Sequence, residues 1–179
     1  MKLKDCLMVN NEIELRKIKV EDSKELFHLI ESNRNYLRNF LPWLDVCRTE
    51  LEELRFIEEL TEKFLAYKSL DLSILYNGQI AGICGTHEID WSNRKTSLGY
   101  WIGESFQGHG IVTKSCEALI NYLFSELKLH RIEIYCSVDN LKSQKVAERL
   151  GFKKEGILKD AENLYGKYID LALYSLINL

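Results

Sequence analysis

Two glycines and two hydroxyl residues lie in the segment SFQGHGIVTKS, residues 105–115, between a strand-like run and a helix-like run. Gly108 and Gly110 allow a sharp backbone turn and the close approach of a ligand to the chain. The first free N–H groups of the following helix would point at that ligand. Because a helix start favours a negatively charged group, the segment predicts a pyrophosphate site.

Three phosphate-binding patterns can be compared with this segment. The P-loop pattern G-x-x-x-x-G-K-[ST] is absent, and the dinucleotide pattern G-x-G-x-x-G fails at its third glycine, where Thr113 stands. The third pattern, Q-x-x-G-x-[GA], matches the run Gln107, Gly108, His109, Gly110 and Ile111. Val112 stands where a small residue is usual, and we expect binding to survive because the backbone donors do not depend on that side chain.

Carboxylates that could receive a proton end the strand-like run GTHEID. Alternate residues share a face of a strand, so Glu88 and Asp90 would lie on one face if the strand stays regular. Asp90 could equally cap the turn into WSNRK, where Asp, Ser and Asn are common. The two interpretations of Asp90 stay open at this stage.

Histidines and cysteines are weaker candidates for chemistry. His87 would face away from Asp90 on a regular strand, and the His109 side chain is expected to point outward from the glycine turn. No histidine pair has the spacing of metal ligands, so no metal is expected. Cys136, in an apolar strand, is interpreted as a small core residue rather than as an acyl-carrying nucleophile.

The elements that position these residues alternate along the chain. IELRKI, residues 13–18, alternates as a strand would, and a helical pattern then runs to Leu41, before Pro42. A second helix is predicted from Thr49, with Glu52 completing a capping box, to about residue 68. Two β-rich runs around an Asn-Gly pair at 77–78, followed by TSLGYWIG, predict a three-stranded meander.

The second half of the chain contains the clearest helix, which follows the glycine turn and has an apolar stripe from Ile111 to Leu127. A strand is predicted at 131–138, then a short helix with Asn140 as N-cap and Gly151 just past its end. Two last strands are predicted at 152–158 and 168–177. The fold class is therefore mixed α/β, with a largely antiparallel sheet of six to seven strands and about four helices.

Composition excludes several classes of protein. At 179 residues, with 46% hydrophobic and 28% charged residues, the chain is expected to form a single folded domain over residues 1–179. Its net charge is −3 and its cations are dispersed, which argues against nucleic-acid binding. Five single cysteines and the absence of a long apolar run indicate a reducing, cytoplasmic location away from membranes.

The segments GYWIGESFQGHGIVTKSCEALINYLF, HRIEIYCSVDNLKSQKVAERLGFKKEGIL and YIDLALYSLI resemble the GNAT superfamily of acetyl-CoA-dependent N-acetyltransferases. The resemblance covers essentially the whole chain. It is greatest with the branch that acetylates the N-termini of ribosomal proteins. It implies the GNAT fold, a homodimer, and direct transfer of acetyl from acetyl-CoA to an amine, most simply a protein α-amino group.

The resemblance also implies roles for individual residues. Asp90, with Glu88, would receive the proton, and Ser143 would assist departure of the thiolate while Asn140 holds the pantetheine amide. The N–H near Ile102 would face the acetyl carbonyl. The predicted acetyl-CoA contacts are Ile102, Gln107, Gly108, His109, Gly110, Ile111, Val112, Thr113, Asn140 and Ser143.

In the family the first two helices flank the acceptor site, so Trp43 and Glu88 are implied as substrate-binding residues. Trp43 could equally anchor the helix junction in the core. The glutamates of the second helix could attract a cationic peptide or form a solvated face. A small-molecule acceptor, such as a polyamine or a drug-like amine, and a non-catalytic CoA-binding sensor are the alternatives.

Overall fold

A computed structural model describes residues 3–178 of the chain. It contains one eight-stranded sheet in the order β1-β2-β3-β4-β5-β6-β8-β7. The strands are β1 Cys6–Met8, β2 Ile13–Lys17, β3 Asp71–Tyr76, β4 Gln79–Thr86, β5 Lys95–Ile102, β6 Arg131–Ser137, β7 Lys153–Leu164 and β8 Lys167–Ile177. All neighbouring strands are antiparallel except β5 and β6.

Four α-helices cover the sheet: α1 Ser23–Leu37, α2 Glu50–Leu65, α3 Ile111–Ser125 and α4 Leu141–Arg149. Helix α2 starts as predicted, because the Thr49 side chain accepts a hydrogen bond from the Glu52 N–H at 3.2 Å. The Glu52 carboxylate in turn accepts from the backbone N–H of Arg48. Among residues 3–178, no helix has both the length and the apolar character needed to cross a membrane.

The predicted meander is present as β3, β4 and β5. Asn77 and Gly78 form the two-residue turn between β3 and β4, with φ angles of 50° and 80°. These positive angles match a tight hairpin turn and explain the Asn-Gly pair. Strand β4 is buried along nearly its whole length, which places it at the centre of the sheet.

The two parallel strands separate before they end. Strands β5 and β6 pair only from Lys95 and Arg131 to Leu98 and Ile134. Beyond Leu98, β5 continues to pair with β4 and β6 continues to pair with β8. A V-shaped opening therefore lies in the middle of the sheet.

Two apolar clusters hold the helices on opposite faces of the sheet. One face packs α3 through residues such as Ile111, Cys116 and Leu119. The other face packs α1 and α2 against Ile83 and Trp101. Side chains alternate along β5, so Tyr100 and Trp101 reach opposite faces from the edge of the opening.

The structure departs from the sequence-based expectations at four elements. Strand β7 runs to Leu164 rather than ending at residue 158. The sheet has eight strands rather than six to seven, because it includes the edge strand β1. The short edge strand β1 has only three residues and carries no alternating pattern long enough to be recognised. Helix α1 ends at Leu37 rather than at Leu41, and residues 38–40 form a turn before Pro42. Helix α2 ends at Leu65 because the chain turns there, with Tyr67 at a φ of 58°.

Candidate active site

The glycine turn is built by left-handed backbone. Gly108 and Gly110 have φ angles of 83° and 72°, and Gly110 is the N-cap of α3. An L side chain is strained at such angles, so glycine is the suitable residue at both positions. The turn delivers the first N–H groups of α3 to an open space beside α4.

That space, which we call the loop cavity, has a volume of about 900 Å³ and lies between the glycine turn, α4 and the end of α1. Gln107 and Lys142 meet at its edge, where the Lys142 ammonium donates to Gln107 Oε1 at 2.8 Å. The Nε2 atom of Gln107 is buried without a hydrogen-bond partner in the described part of the chain. A ligand that supplies an acceptor there would satisfy it.

Cationic side chains surround the loop cavity although the chain as a whole is acidic. Lys114 comes from the first turn of α3, and Lys142, Lys145 and Arg149 come from α4. The sequence analysis missed this group because the residues are dispersed along two helices. Together with the helix N-terminus they make the cavity suited to phosphate groups.

Most of the predicted ligand contacts line the loop cavity. They are Ile102, Gln107, Gly108, Gly110, Ile111, Val112, Thr113, Asn140 and Ser143. His109 does not line it: its exposed ring stacks on Tyr76, with centroids 6.2 Å apart and planes 14° apart. The side chain of Val112 also packs against the apolar core under α3.

The N–H of Ile102 is directed into the opening between β5 and β6. The next residue, Gly103, donates its N–H to the Ala81 carbonyl on the β4 side at 2.8 Å. N–H groups alternate between the two edges of a strand, so the Ile102 N–H points to the β6 side. β6 has already diverged at that level, which leaves the donor available to a ligand.

Ser143 and Asn140 meet at the start of α4. Asn140 caps the helix by accepting from the Ser143 N–H at 3.1 Å, as its position in the sequence indicated. The Ser143 Oγ lies 2.9 Å from the phenol oxygen of Tyr100. Burial raises the pKa of Tyr100, which keeps its hydroxyl protonated and able to donate to Ser143.

A second space, the central cavity, occupies the α1 and α2 face of the sheet and has a volume of about 820 Å³. Trp43, Phe56 and Trp101 form an aromatic wall. The Trp43 ring stacks on Phe56 at 6.3 Å and tilts against Trp101 at 6.4 Å. Trp43 therefore lines the cavity and also packs in the junction between the helices, so the two interpretations of this residue are compatible.

The two cavities meet in the V-shaped opening. Both are lined by Phe40, Leu41, Tyr100, Trp101, Asn140 and Ser143. The Ser143 hydroxyl is thus placed where a ligand in one cavity would contact a ligand in the other. This arrangement permits transfer of a group between two bound molecules.

Glu88 and Glu162 line the central cavity, whereas Asp90 lines neither cavity. The Asp90 carboxylate accepts hydrogen bonds from the Ser92 hydroxyl and from the N–H and side-chain amide of Asn93, at 2.7 to 2.9 Å. These bonds lower the pKa of Asp90. The geometry favours the interpretation of Asp90 as a turn cap, and its role as a proton acceptor stays a prediction.

In the sequence analysis His87 is only a weaker candidate facing away from Asp90, and Glu162 is not considered. Strand β4 ends at Thr86, so the strict alternation assumed for Glu88 and Asp90 stops there and His87 turns into the cavity. Glu162 is brought in by β7, far along the chain. Burial raises the pKa of Glu162. Glu162 reaches the cavity because β7 pairs with β8 and β8 pairs with β6, which the sequence does not show.

The glutamates of α2 do not line the central cavity. The helix presents Phe56, Leu60 and Lys63 to that cavity instead. Glu53 is buried under the helix, where its carboxylate accepts from the Cys47 thiol at 3.0 Å. Most of the remaining α2 glutamates form the solvated face considered as the simpler alternative.

Cys136 lines the central cavity but is 7% exposed. Burial raises the pKa of its thiol, which keeps the sulfur protonated and weakly nucleophilic. In the described residues, no group of three or more His, Cys, Asp or Glu side chains is arranged to hold a metal ion.

Comparisons with known proteins agree with this geometry. Residues 12–153 match the family model for the acetyltransferase (GNAT) domain. The ribosomal-protein-serine acetyltransferase of Escherichia coli (strain K12) is 31% identical over 173 aligned residues, which cover 97% of each chain.

Two solved structures share the fold over nearly their full lengths. RimL, a ribosomal alpha-N-protein acetyltransferase in complex with coenzyme A disulfide-bonded to one of its cysteines, has a TM-score of 0.94 and 30% identity, covering 96% of this chain and 97% of that one. The microcin self-immunity acetyltransferase MccE, in complex with acetyl-CoA and AMP, has a TM-score of 0.91 and 36% identity, covering 95% and 94%. The chain belongs to the GNAT family and is an N-acetyltransferase.

Proposed function

We propose that this enzyme transfers acetyl from acetyl-CoA to the N-terminal α-amino group of a protein, with a ribosomal protein as the first candidate. The observation that carries the proposal is the junction of the two cavities at Ser143 and Tyr100. The similarity to enzymes named for ribosomal-protein acetylation supports the choice of acceptor.

The loop cavity fits acetyl-CoA. The α3 N-terminus and the four surrounding cations suit its phosphates, and the unpartnered Gln107 Nε2 offers a donor. The opening between β5 and β6 suits its extended arm. When bound, acetyl-CoA supplies an acetyl group activated as a thioester.

Two groups of the chain would then act on the reaction. The Ile102 N–H is placed to stabilise negative charge on the acetyl oxygen as the charge develops. The Ser143 hydroxyl, hydrogen-bonded to the Tyr100 hydroxyl, donates a proton or hydrogen bond to the departing sulfur. Cys136, with its protonated thiol, takes no covalent part, so the amine attacks directly.

The acceptor amine must lose a proton. An α-amino group has a pKa of about 7.7–8.0, against about 10.4 for lysine, so a modest base suffices. Glu88 and Glu162 both line the central cavity. Glu162 suits the role better because burial raises its pKa toward neutrality, where a base is most effective.

The first experiment measures thermal unfolding with and without acetyl-CoA. Ligand at about 100 times Kd adds roughly 2.7 kcal/mol, which raises the Tm of a domain of this size by about 5–10 °C. Acetylation of peptides bearing ribosomal-protein N-termini is then measured. Absence of any shift at millimolar acetyl-CoA would overturn the proposal.

Replacement of Ser143 tests the proposed acid. Ser143→Ala is expected to lower kcat about 100-fold with little change in acetyl-CoA affinity, since a positioned acid contributes at least that factor. Ser32→Ala, an exposed serine on α1, is the matched control and should leave kcat unchanged. An unchanged kcat in Ser143→Ala would remove the residue from the mechanism.

A small-molecule acceptor is the second candidate, favoured by the size of the central cavity and by the similarity to MccE. A panel of polyamines and amino nucleosides, assayed beside the peptides, distinguishes the two. Acetyl-CoA binding without turnover of any amine would instead indicate a CoA-binding sensor.

We also propose a cytoplasmic location and a homodimer. All five cysteines are free thiols, with Cys84 and Cys116 sulfurs 3.7 Å apart and unbonded, which suits a reducing compartment. Light scattering coupled to size exclusion tests the dimer.

A further inference from the structure

The floor of the central cavity is made by two glycines that face each other across β4 and β5. Gly85 pairs with Gly99 in the antiparallel register. A Cβ atom at Gly85 would lie 2.7 Å from Asp71 Oδ1 and equally close to the Leu70 carbonyl oxygen, and one at Gly99 would lie 3.1 Å from the His87 ring. The missing side chains therefore leave room for the carboxylate of Asp71 and the imidazole of His87 to lie over the sheet.

Asp71 lies deep in the molecule, at the start of β3, yet keeps part of its surface open to the central cavity. Its Oδ2 atom accepts a hydrogen bond from the Ser69 hydroxyl at 2.8 Å. Its Oδ1 atom has no hydrogen bond from any of residues 3–178. Because Asp71 lines the central cavity, this oxygen is open to a ligand and can accept a hydrogen bond from it.

The charges around Asp71 indicate what kind of donor fits. Burial raises the pKa of Asp71, and Lys63 and His87 act electrostatically in the opposite direction. Lys63 and Lys68 line the same cavity together with the carboxylates of Glu88 and Glu162, so its wall carries charges of both signs. Because the Lys63 ammonium already acts on the Asp71 carboxylate, a neutral hydroxyl can complete the hydrogen bonding of Oδ1 without adding a further charge.

We propose that Asp71 determines acceptor specificity by accepting a hydrogen bond from a hydroxyl group near the reacting amine, as in a protein N-terminus that begins with Ser or Thr. The inference rests on the proposed function, and it names the residue that selects among protein N-termini as acceptors. Asp71 is separate from Glu88, Glu162 and Ser143, so its replacement leaves the groups assigned to the chemistry in place.

The experiment compares two peptides that differ only in the first residue, Ser or Ala. The wild-type enzyme is expected to prefer the Ser peptide by about 10-fold or more in kcat/KM, the factor for one hydrogen bond to a charged group. Asp71→Ala should reduce that ratio to about 1 while kcat/KM for the Ala peptide changes by less than about 3-fold. A purely structural role of Asp71 would lower both values together.

Acetyl-CoA-induced thermal shifts establish that each variant is folded. If Asp71→Ala is unfolded, Asp71→Asn replaces it: this variant keeps the side-chain volume, and its weaker neutral acceptor should reduce the ratio at least about 3-fold. If the wild type and the variant acetylate both peptides with the same Ser-to-Ala ratio of kcat/KM, the role of Asp71 is overturned and the proposed protein acceptor stands. Absence of turnover of either peptide by the wild type would overturn the proposed protein acceptor, and this inference with it.

Discussion

Glycines shape both cavities of this enzyme, but they do so in two different ways. In the glycine turn, Gly108 and Gly110 are needed for their own backbone angles, and the nearest atom to an added Cβ is 3.9 Å away or more. In the central cavity, Gly85 and Gly99 have ordinary strand geometry and are needed because another residue occupies the adjacent space. The first requirement is local, and the second arises only between strands.

The largest effect on activity is expected from the carboxylate that the tertiary structure brings to the central cavity. Glu162→Gln should lower kcat about 100-fold if Glu162 receives the proton. Its pKa is raised, so wild-type kcat/KM should fall as the pH decreases through that pKa and the base becomes protonated. In Glu162→Gln, kcat/KM should no longer fall in this way as the pH decreases. Glu88→Gln is the matched control and should keep the decline of kcat/KM at low pH. If Glu88→Gln loses that decline and Glu162→Gln keeps it, Glu88 is the group that receives the proton.

The largest effect on stability is expected where a glycine faces backbone. A Cβ at Gly82 would lie 2.1 Å from the Trp101 carbonyl oxygen, which cannot move without disturbing β5. Gly82→Ala should cost about 3 kcal/mol, lowering the Tm by about 6–12 °C. Gly156→Ala on β7 has no atom within 4 Å of its added Cβ and should be nearly neutral. Equal Tm values would contradict the steric argument.

A smaller effect is expected in the glycine turn. Gly110→Ala should strain the backbone by about 1–2 kcal/mol and weaken acetyl-CoA binding about tenfold by displacing one N–H donor. Gly166, at a φ of 88° in the turn between β7 and β8, provides the control: Gly166→Ala should show similar strain with unchanged acetyl-CoA affinity. Calorimetric titration with acetyl-CoA measures the affinity of both variants. Equal affinities would contradict a role of the Gly110 turn in binding acetyl-CoA.

The smallest effect on activity is expected at Asp90. Its carboxylate caps the turn before β5, so Asp90→Asn should lower the Tm slightly while kcat stays near the wild-type value. Thermal unfolding and steady-state kinetics on the same preparation test this. A large loss of kcat without loss of stability would restore Asp90 as the proton acceptor.

Much of the fold could be predicted because the signals are local. The Asn77–Gly78 turn, the Thr49 and Asn140 caps and the apolar stripe of α3 each depend on residues within a few positions of one another. Strand β1 was missed because three residues carry too little pattern. The early ends of α1 and α2 escaped prediction because their apolar spacing continues past the point where tertiary packing stops the helix.

The sequence alone determined the family, the mixed α/β fold and the glycine turn, because short-range backbone preferences and a recognisable motif encode them. Tertiary structure alone decided which acidic groups share the central cavity. Glu162 enters from β7, and Asp71 lies over Gly85 through the register of β3 and β4. Distances between such residues depend on strand order and side-chain packing, which spacing along the chain does not specify.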